Sequence, residues 1–429
     1  MELTVSPAAS LRGSLRVPGD KSISHRAVIL GALARGETRI YGLSRAGDVR
    51  STVECLRALG ISITGGEGGK VTVAGRGRQG LQEPEDVLEA GNSGTTIRLL
   101  AGLFSGQPFY ATITGDASLR RRPMGRVVRP LVAMGSRIFG RGGGELAPLT
   151  ILGGDLAGTE HELPVASAQV KSALLLAGLY ARGQTTVTEP YLSRDHTERM
   201  LAAFGVPVWR SGLKVGVEGG TELEPQELTI PGDVSSAAFF LVAGAIVPEA
   251  KIRIEGVGVN PTRTGIIDAL QRMGADITLE NETMAGGEPV ADLVVRGGHR
   301  LQGISLGGAQ IPRLIDEIPV LAVAATQADG ETVIQDAAEL KVKESNRLHT
   351  VAVELERLGA EVRELDDGLA IRGPARLVGA RCESYGDHRI AMALAVAGLV
   401  AEGLTTISGS EYIDISFPGF QECLQRLVP

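Results

Sequence analysis

Residues 17–42 read VPGDKSISHRAVILGALARGETRIYG: a Pro-Gly pair, an Asp, a polar cluster with Lys21, Ser22, Ser24 and Arg26, an uncharged run, a glycine-containing break and a β-prone exit. The same layout returns at residues 92–115 (NSGTTIRLLAGLFSGQPFYATITG), 167–190 (SAQVKSALLLAGLYARGQTTVTEP), 233–256 (DVSSAAFFLVAGAIVPEAKIRIEG), 315–336 (IDEIPVLAVAATQADGETVIQD) and 387–409 (DHRIAMALAVAGLVAEGLTTISG). Spacings near ~70 residues lie beyond solenoid periods, which favours a few large units over a stack of small ones.

The segments after these openings are repetitive too. After the first, residues 48–59 place Val49, Val53, Leu56 and Leu59 at helical spacing up to Gly60, and ISITGGEGGKVTVAG then alternates as a hairpin does. A second amphipathic segment and further strands recur after Arg122, Ser193, Pro261 and Lys343, so a repeat reads strand, helix, strand, helix, strand, strand. The sixth repeat stops after its second helix, at residues 417–427, while the β-prone residues 3–17 have no repeat of their own. The economical solution lets the N-terminal strands complete the sixth repeat. The expected domains are 19–231, with three repeats, and 1–18 plus 232–429, with the other three. Both boundaries fall at Pro-Gly pairs, residues suited to linkers. The fold class is therefore α/β, with two similar domains, each of three βαβαββ units packed around buried helices; an ordinary doubly wound α/β protein is the alternative.

Composition narrows the function. At 429 residues the chain exceeds one comfortable core. A net charge of −7 gives no general reason to expect nucleic acid. Cys55, Cys382 and Cys423 have no paired or metal-like spacing, so neither a disulfide framework nor a structural metal is expected. The apolar run 237–248 is shorter than the roughly 20 residues that a bilayer needs, and MELTVSPAAS does not resemble a signal peptide. A cytoplasmic protein without a membrane partner is expected, with a monomer as the default.

The chemistry gathers at the helix starts. The first helices of the repeats are nearly uncharged through their middles, as buried helices are. Their starts carry Lys21, Ser22 and Arg26, then Asn92, Ser93 and Gly94, then Ser167 and Gln169, and, in the other half, Asp233, Asp316, Asp387, His388 and Arg389. Such starts suit phosphate through backbone amides and the helix dipole, although Ser, Asn and Asp also cap helices for purely structural reasons. Arg120, Arg121 and Arg122 precede Pro123, read as a first-turn proline; Arg194 opens another helix; Lys343 and Arg347, read as one helix turn apart, would repel without an anion beside them. So many cations imply a strongly anionic ligand, with phosphates among its groups. The P-loop pattern GxxxxGK[ST] is absent, and GGEGGKVTVAG and FGRGGGE read as hairpin turns. Asp316 and Glu344 are the carboxylates best placed among the cations for acid–base work.

The blocks LRVPGDKSISHRA, GNSGTTIRLL, GDASLRRRPMGR, ASAQVKSALLLAG, SRDHTERML, PGDVSSAAFFLVA, NPTRTG, IDEIPVLAVAA, ELKVKESNRL, GDHRIAMALAVAGL and SFPGF occur in this order along the chain. Over essentially its whole length the chain resembles the EPSP synthase (3-phosphoshikimate 1-carboxyvinyltransferase) family of enolpyruvyl transferases. The resemblance implies transfer of the enolpyruvyl group of phosphoenolpyruvate to the 5-hydroxyl of 3-phosphoshikimate, without a cofactor or metal. It assigns Lys21, Ser22, Arg26, Ser167, Ala168, Gln169, Arg194, Asp316 and Lys343 to 3-phosphoshikimate. Lys21, Gly94, Arg122, Gln169, Arg347 and Arg389 fall to phosphoenolpyruvate, with Asp316, Glu344 and Lys21 as catalytic groups. Gly94, where glyphosate-tolerant members have Ala, implies inhibition by glyphosate. Three positions depart from familiar members: Ala168 replaces a Ser, Glu339 an Asn, and Ile415 a Lys before Ser416-Phe417-Pro418. The last leaves one phosphoenolpyruvate cation unassigned, with Arg120 and Arg121 as candidates. Two rivals remain. The sister enzyme acting on UDP-N-acetylglucosamine usually carries a Cys in the loop that here reads GDASLRRRPMG; a non-catalytic phosphometabolite binder would have lost Asp316 and Glu344.

Overall fold

The computed structural model describes residues 1–66 and 69–429. Glu67 and Gly68, in the turn of the first sequence-predicted hairpin, lie outside the described residues. The chain groups into two compact units: Gly19–Ile230 with Ala285–Glu288, and Met1–Pro18 with Pro231–Met284 and Pro289–Pro429. The short Ala285–Glu288 stretch has no counterpart in the partition expected from sequence. It brings Glu288 to His196, whose Nδ1 lies 2.7 Å from the carboxylate with both side chains buried.

In the first unit, three central helices run over Lys21–Leu33, Gly94–Ser105 and Ala168–Gly178. Each is apolar on nearly every side and buried through most of its length, so other elements must cover it. Inward residues of the strands do so: Val73, Ile113, Ile151, Val215 and Val217 belong to the same core as Leu30, Leu100 and Leu175. In each sheet a short strand pairs in parallel with the strand that follows the central helix, and a hairpin continues the sheet antiparallel. The leading strand of the first sheet is Glu227–Thr229, from the far end of the segment, paired with Arg35–Tyr41.

The second unit repeats this plan around helices Val234–Ile246, Ile318–Thr326 and His388–Gly398. Here the sequence expectation needs one correction. Strand Glu2–Val5 does join the sixth repeat, antiparallel to Thr405–Ser408. Strand Arg12–Leu15 does not: it leads the fourth repeat's sheet, parallel to Lys251–Gly258. The local chain leaves that edge open, because Gly232 makes a single parallel bridge to Val257 before the helix starts. Among the described residues the six sheets thus have four strands each, except the sixth repeat's, which has three.

Helix starts are fixed by side chains at most of these positions. Asp20 accepts from Ile23 N at 2.8 Å, Ser93 from Thr96 N at 3.1 Å, Ser167 from Val170 N at 3.5 Å, Asp233 from Ser235 N at 2.8 Å and Asp387 from Arg389 N at 2.9 Å. The Ile318 helix is different: Glu317 occupies the cap position without a capping bond, and its carboxylate goes to Ser235 and Arg263 instead. Two central helices of the first unit touch backbone to backbone. A Cβ added at Gly102 would sit 2.2 Å from the carbonyl oxygen of Ala173. Gly102→Ala gains about 1 kcal/mol of helix propensity but forces these helices apart, for a net loss of about 2 kcal/mol. Urea unfolding should show a lower midpoint; an unchanged midpoint would mean that the helices do not depend on this approach.

Candidate functional site

The sequence-selected residues form one cluster within each unit. In the first, Lys21 begins its helix and its Nζ donates to Asp48 Oδ2 at 2.8 Å. Arg26, one turn on, is buried and bonds Thr197 Oγ1 at 2.6 Å, Ser172 Oγ at 2.6 Å and the Ser22 carbonyl at 2.8 Å. Burial pushes its guanidinium down to about 10, against the pull of Glu198 and Asp20. Arg194, in the loop before the His196–Ala203 helix, reaches Ser22 Oγ at 3.5 Å. Arg26 therefore ties the Lys21 helix to the Ala168 helix, and Arg194 adds the third repeat's loop.

The second repeat joins through Gly94 and Gln169. Gln169 donates to Thr95 Oγ1 at 3.0 Å and accepts from Arg98 Nη1 at 2.7 Å. Arg122 is buried and donates to the Asn92 carbonyl at 3.2 Å and to Ser118 Oγ at 3.3 Å. A Cβ at Gly94 would lie 2.7 Å from Arg98 Nη1 and 3.5 Å from Arg122 Nη1, so glycine leaves room for two guanidinium groups. Ser167 caps its helix, Ala168 is the first helical residue, and the Ala168 carbonyl accepts from Ser172 Oγ at 2.5 Å.

Two expectations for this region change. Residues 119–121 form a 3-10 turn, Arg122 is extended, and the helix starts only at Gly125. Arg120–Arg122 thus do not stand on a helix N-terminus, and Pro123 is not in its first turn. Of the two candidates for the missing lysine of the 415 position, Arg120 donates from Nη1 to the Gly115 carbonyl at 2.8 Å, and Arg121 is exposed. The cations that sequence reading missed are Arg98 and Lys171. Both lie one turn inside otherwise uncharged helices, which is the signal that could have marked them.

In the second unit the charges are packed more tightly. Arg347 is buried, with Nε 2.8 Å from Asp387 Oδ2, Nη1 3.2 Å from Asp316 Oδ1 and Nη2 2.7 Å from Glu344 Oε2. Its burial opposes the charge, but Asp387, Glu344 and Asp316 together raise its pKa well above that of ordinary arginine. Asp387 is held below the usual carboxylate range: burial disfavours its charge, and Arg347 outweighs that. Lys343 Nζ lies 3.6 Å from Asp316 Oδ1 and 3.8 Å from Glu339. Arg389 donates from Nη1 to the Asp316 carbonyl at 3.1 Å and lies 3.8 Å from Glu317. Lys343 is extended rather than helical, so the shared helix face expected for it and Arg347 does not form. The two cations nonetheless meet on one oxygen of Asp316, and the chain's own carboxylates offset their repulsion. Glu317, Arg263, Ser235 and Asp233 extend the buried network; Arg263 Nη2 bonds Ser235 Oγ at 2.7 Å and approaches Asp233 at 3.3 Å.

The described residues include no group of three or more His, Cys, Asp and Glu placed to hold a metal ion, and no helix among them is long and apolar enough to cross a membrane. A cavity of about 710 Å³ lined by Arg12, Lys251, Arg253, Glu280 and Arg296 includes no residue of either cluster. Its arginines are answered by acids, Arg12 by Glu249, Arg253 by Glu280 and Asp292, and Arg296 by Asp276.

One buried group behind Lys21 titrates informatively. His25 Nδ1 pairs with Thr52 Oγ1 at 2.6 Å, and Thr52 with Thr96 at 2.7 Å, while His25 Nε2 has no hydrogen-bond partner. Burial pushes His25 down to about 3; Asp48 opposes this and Lys21 and Arg26 reinforce it. Its neutral form is the folded form, so its stabilisation is complete above the ordinary pKa near 6.5 and is lost as pH falls toward 3. At pH 5 the loss is about 2 kcal/mol relative to pH 7.5. His25→Gln should remove that part of the pH dependence in urea unfolding; an unchanged difference between pH 7.5 and pH 5 would contradict it.

A family model described as EPSP synthase (3-phosphoshikimate 1-carboxyvinyltransferase) matches residues 5–424. The 3-phosphoshikimate 1-carboxyvinyltransferase of Desulforudis audaxviator is 59% identical over 427 residues, covering 100% of this chain and 99% of that protein. A solved EPSP synthase from Acinetobacter baumannii is 46% identical with a TM-score of 0.89, covering 100% of this chain and 98% of that one. The enolpyruvyl transferase NikO from Streptomyces tendae, at 20% identity and a TM-score of 0.79 over 99% of this chain and 97% of its own, shares the fold.

Proposed function

The chain belongs to the EPSP synthase family, and from that premise we propose how its residues divide the family's reaction. The enzyme transfers the enolpyruvyl group of phosphoenolpyruvate to the 5-hydroxyl of 3-phosphoshikimate, giving 5-enolpyruvylshikimate 3-phosphate and phosphate. The step belongs to the shikimate route to chorismate and aromatic amino acids, and it proceeds by addition and elimination.

The division of charge between the clusters supports the residue roles. The first unit offers Lys21, Ser22, Arg26, Ser167, Ala168, Gln169 and Arg194 to 3-phosphoshikimate, with Ser167, Ala168, Gln169 and Arg194 at its phosphate. Its hydroxyls, cations and helix N-termini suit a phosphate and a polyol. Gly94, Arg122 and Gln169, with Lys21, hold phosphoenolpyruvate; a Cβ at Gly94 would crowd the guanidinium groups that meet the anion. Arg347 and Arg389 of the second unit are likewise assigned to phosphoenolpyruvate, and Lys343 to the acceptor. Glyphosate, an analogue of phosphoenolpyruvate, inhibits because Gly94 leaves its place open.

In the addition, Asp316 takes the proton of the 5-hydroxyl as its oxygen bonds C2 of phosphoenolpyruvate, and C3 receives a proton from Lys21 or Glu344. In the elimination C3 returns its proton, the bond between C2 and the bridging phosphate oxygen breaks, and phosphate leaves with that electron pair and takes up the proton that Asp316 had removed. Arginines aimed at the phosphates stabilise the charge that builds up. The single observation that carries this reading is the Asp316 carboxylate held by Arg347 at 3.2 Å and Lys343 at 3.6 Å, beside Glu344, because it sets a fixed base within a cationic frame. The enzyme acts as a cytoplasmic monomer, without a nucleic-acid or membrane partner or a cofactor.

Phosphate release is expected with phosphoenolpyruvate and 3-phosphoshikimate, and to fall when glyphosate is added. Turnover with UDP-N-acetylglucosamine but not with 3-phosphoshikimate would overturn the assignment. Asp316→Asn should bind 3-phosphoshikimate within about threefold of the parent yet lose about 10²–10⁴ in kcat, the usual span for a general base; near-normal kcat would remove Asp316 from proton transfer.

A further inference from the structure

Glu189 lies just past the strand Gln184–Thr188, buried, and belongs to neither substrate set. Its Oε1 accepts the backbone N–H of Ser167 at 3.2 Å, and its Oε2 accepts the backbone N–H of Ser193 at 3.4 Å. One carboxylate thus holds the residue that opens the Ala168 helix and the residue before Arg194. Lys171 neutralises it: Nζ lies 2.7 Å from Glu189 Oε2 and 2.8 Å from Glu198 Oε1, and also donates to the Ser193 carbonyl at 3.4 Å. Lys171 is fully buried. Glu198 in turn opposes the lowering of the Arg26 pKa that burial causes, and Arg26 bonds Ser172, the neighbour of Lys171. The buried charges therefore alternate, Glu189, Lys171, Glu198, Arg26, along a line whose two ends are the Ser167–Ser193 backbone and the Arg26 guanidinium.

We infer that Glu189, backed by Lys171, is a positioning residue that sets Ser167 and Arg194 for the phosphate of the acceptor; this rests on the proposed reading that these two residues hold that phosphate. The chemistry favours an ionised carboxylate at this point. A neutral amide cannot accept two N–H groups and an ammonium together, whereas a carboxylate can. A charge buried without partners would be costly, and here each neighbour on the line carries the opposite sign. The same anion would repel a phosphate if Lys171 did not stand against it, so the lysine keeps the clamp compatible with the ligand it serves.

The test compares binding of 3-phosphoshikimate with binding of shikimate, which lacks the phosphate. In Glu189→Gln, affinity for 3-phosphoshikimate should fall about tenfold or more, the effect of losing one hydrogen bond to a charged group. Affinity for shikimate and the KM for phosphoenolpyruvate should stay within about twofold of the parent. If Glu189→Gln does not fold, Glu189→Asp, which keeps the charge against Lys171 but is too short to reach both N–H groups, carries the same expectation. Equal losses for shikimate and 3-phosphoshikimate, or no loss for either, would overturn the inference. Arg194→Ala separates the two levels: if it lowers 3-phosphoshikimate affinity while the Glu189 variants do not, positioning by Glu189 falls alone. If Arg194→Ala also has no effect, the acceptor assignment falls with it.

Discussion

A guanidinium removed from water must be surrounded by groups that offset its lost hydration, and Arg347 is the residue on which the second unit's site depends in this respect. It is 1% exposed, and carboxylates from three different segments meet it: Asp316, Glu344 and Asp387. Removing one member of such a set leaves the rest uncompensated, which is why buried ionic clusters break as units. The arrangement also fixes geometry. Asp316 stands in the short link before the Ile318 helix, Glu344 in the stretch before the Arg347 helix, and Asp387 at a helix cap, so a single planar cation sets three backbones at once. The base, its neighbouring acid and the start of the His388 helix are thereby held in register by a residue that is itself assigned to the substrate.

The first unit solves a related problem with fewer acids and more hydroxyls. Ser93 and Ser167 cap two of its central helices and Asp20 the third, near Lys21, Arg26, Arg98 and Arg122, and the hydroxyls Thr52, Thr96, Ser172 and Thr197 take up hydrogen bonds between the helices. Hydroxyls can donate or accept, so they satisfy neighbours of either kind without adding charge. The cations stand at or near the helix N-termini, which is where an anion is best stabilised.

Much of this was legible in the sequence because the repeat fixes an address. Once residues 17–42 are seen to recur, every uncharged run becomes a central helix and every polar start becomes a candidate site, and Lys21, Arg26, Gly94, Ser167, Asp316 and Arg389 all lie at such starts. Spacing along the chain failed where the local conformation was not the assumed one: Lys343 and Arg347 meet through Asp316, not through a shared helix face. The exchange of strands was half hidden. A missing hairpin predicts that something returns, but nothing in RGSL distinguishes the edge of the fourth repeat's sheet from that of the sixth. Lys171 illustrates the deepest limit. A single lysine in an apolar helix has the same signature whether it reaches water or stays buried, and only its partners, Glu189 and Glu198, at the end of one strand and on another helix, decide.

The repeats share one architecture, yet function separates them by the sign of the groups that cap or flank each helix. Where Ser93 and Ser167 cap, the carboxylates that answer nearby cations come from elsewhere, as Glu189 does for Lys171. Where Asp233 and Asp387 cap, the acid is already at the helix start, and arginines converge on it: Arg263 on Asp233 and Arg347 on Asp387. Glu317 marks the point of departure, since it gives up capping altogether to stand among Ser235, Arg263 and Arg389. A helix start with an uncapped first turn is a local loss of about 1 kcal/mol. Its persistence next to Asp316 is understandable if the position is set by the needs of the charged site and the helix is held by its burial, since all of Ile318–Thr326 lies in the core.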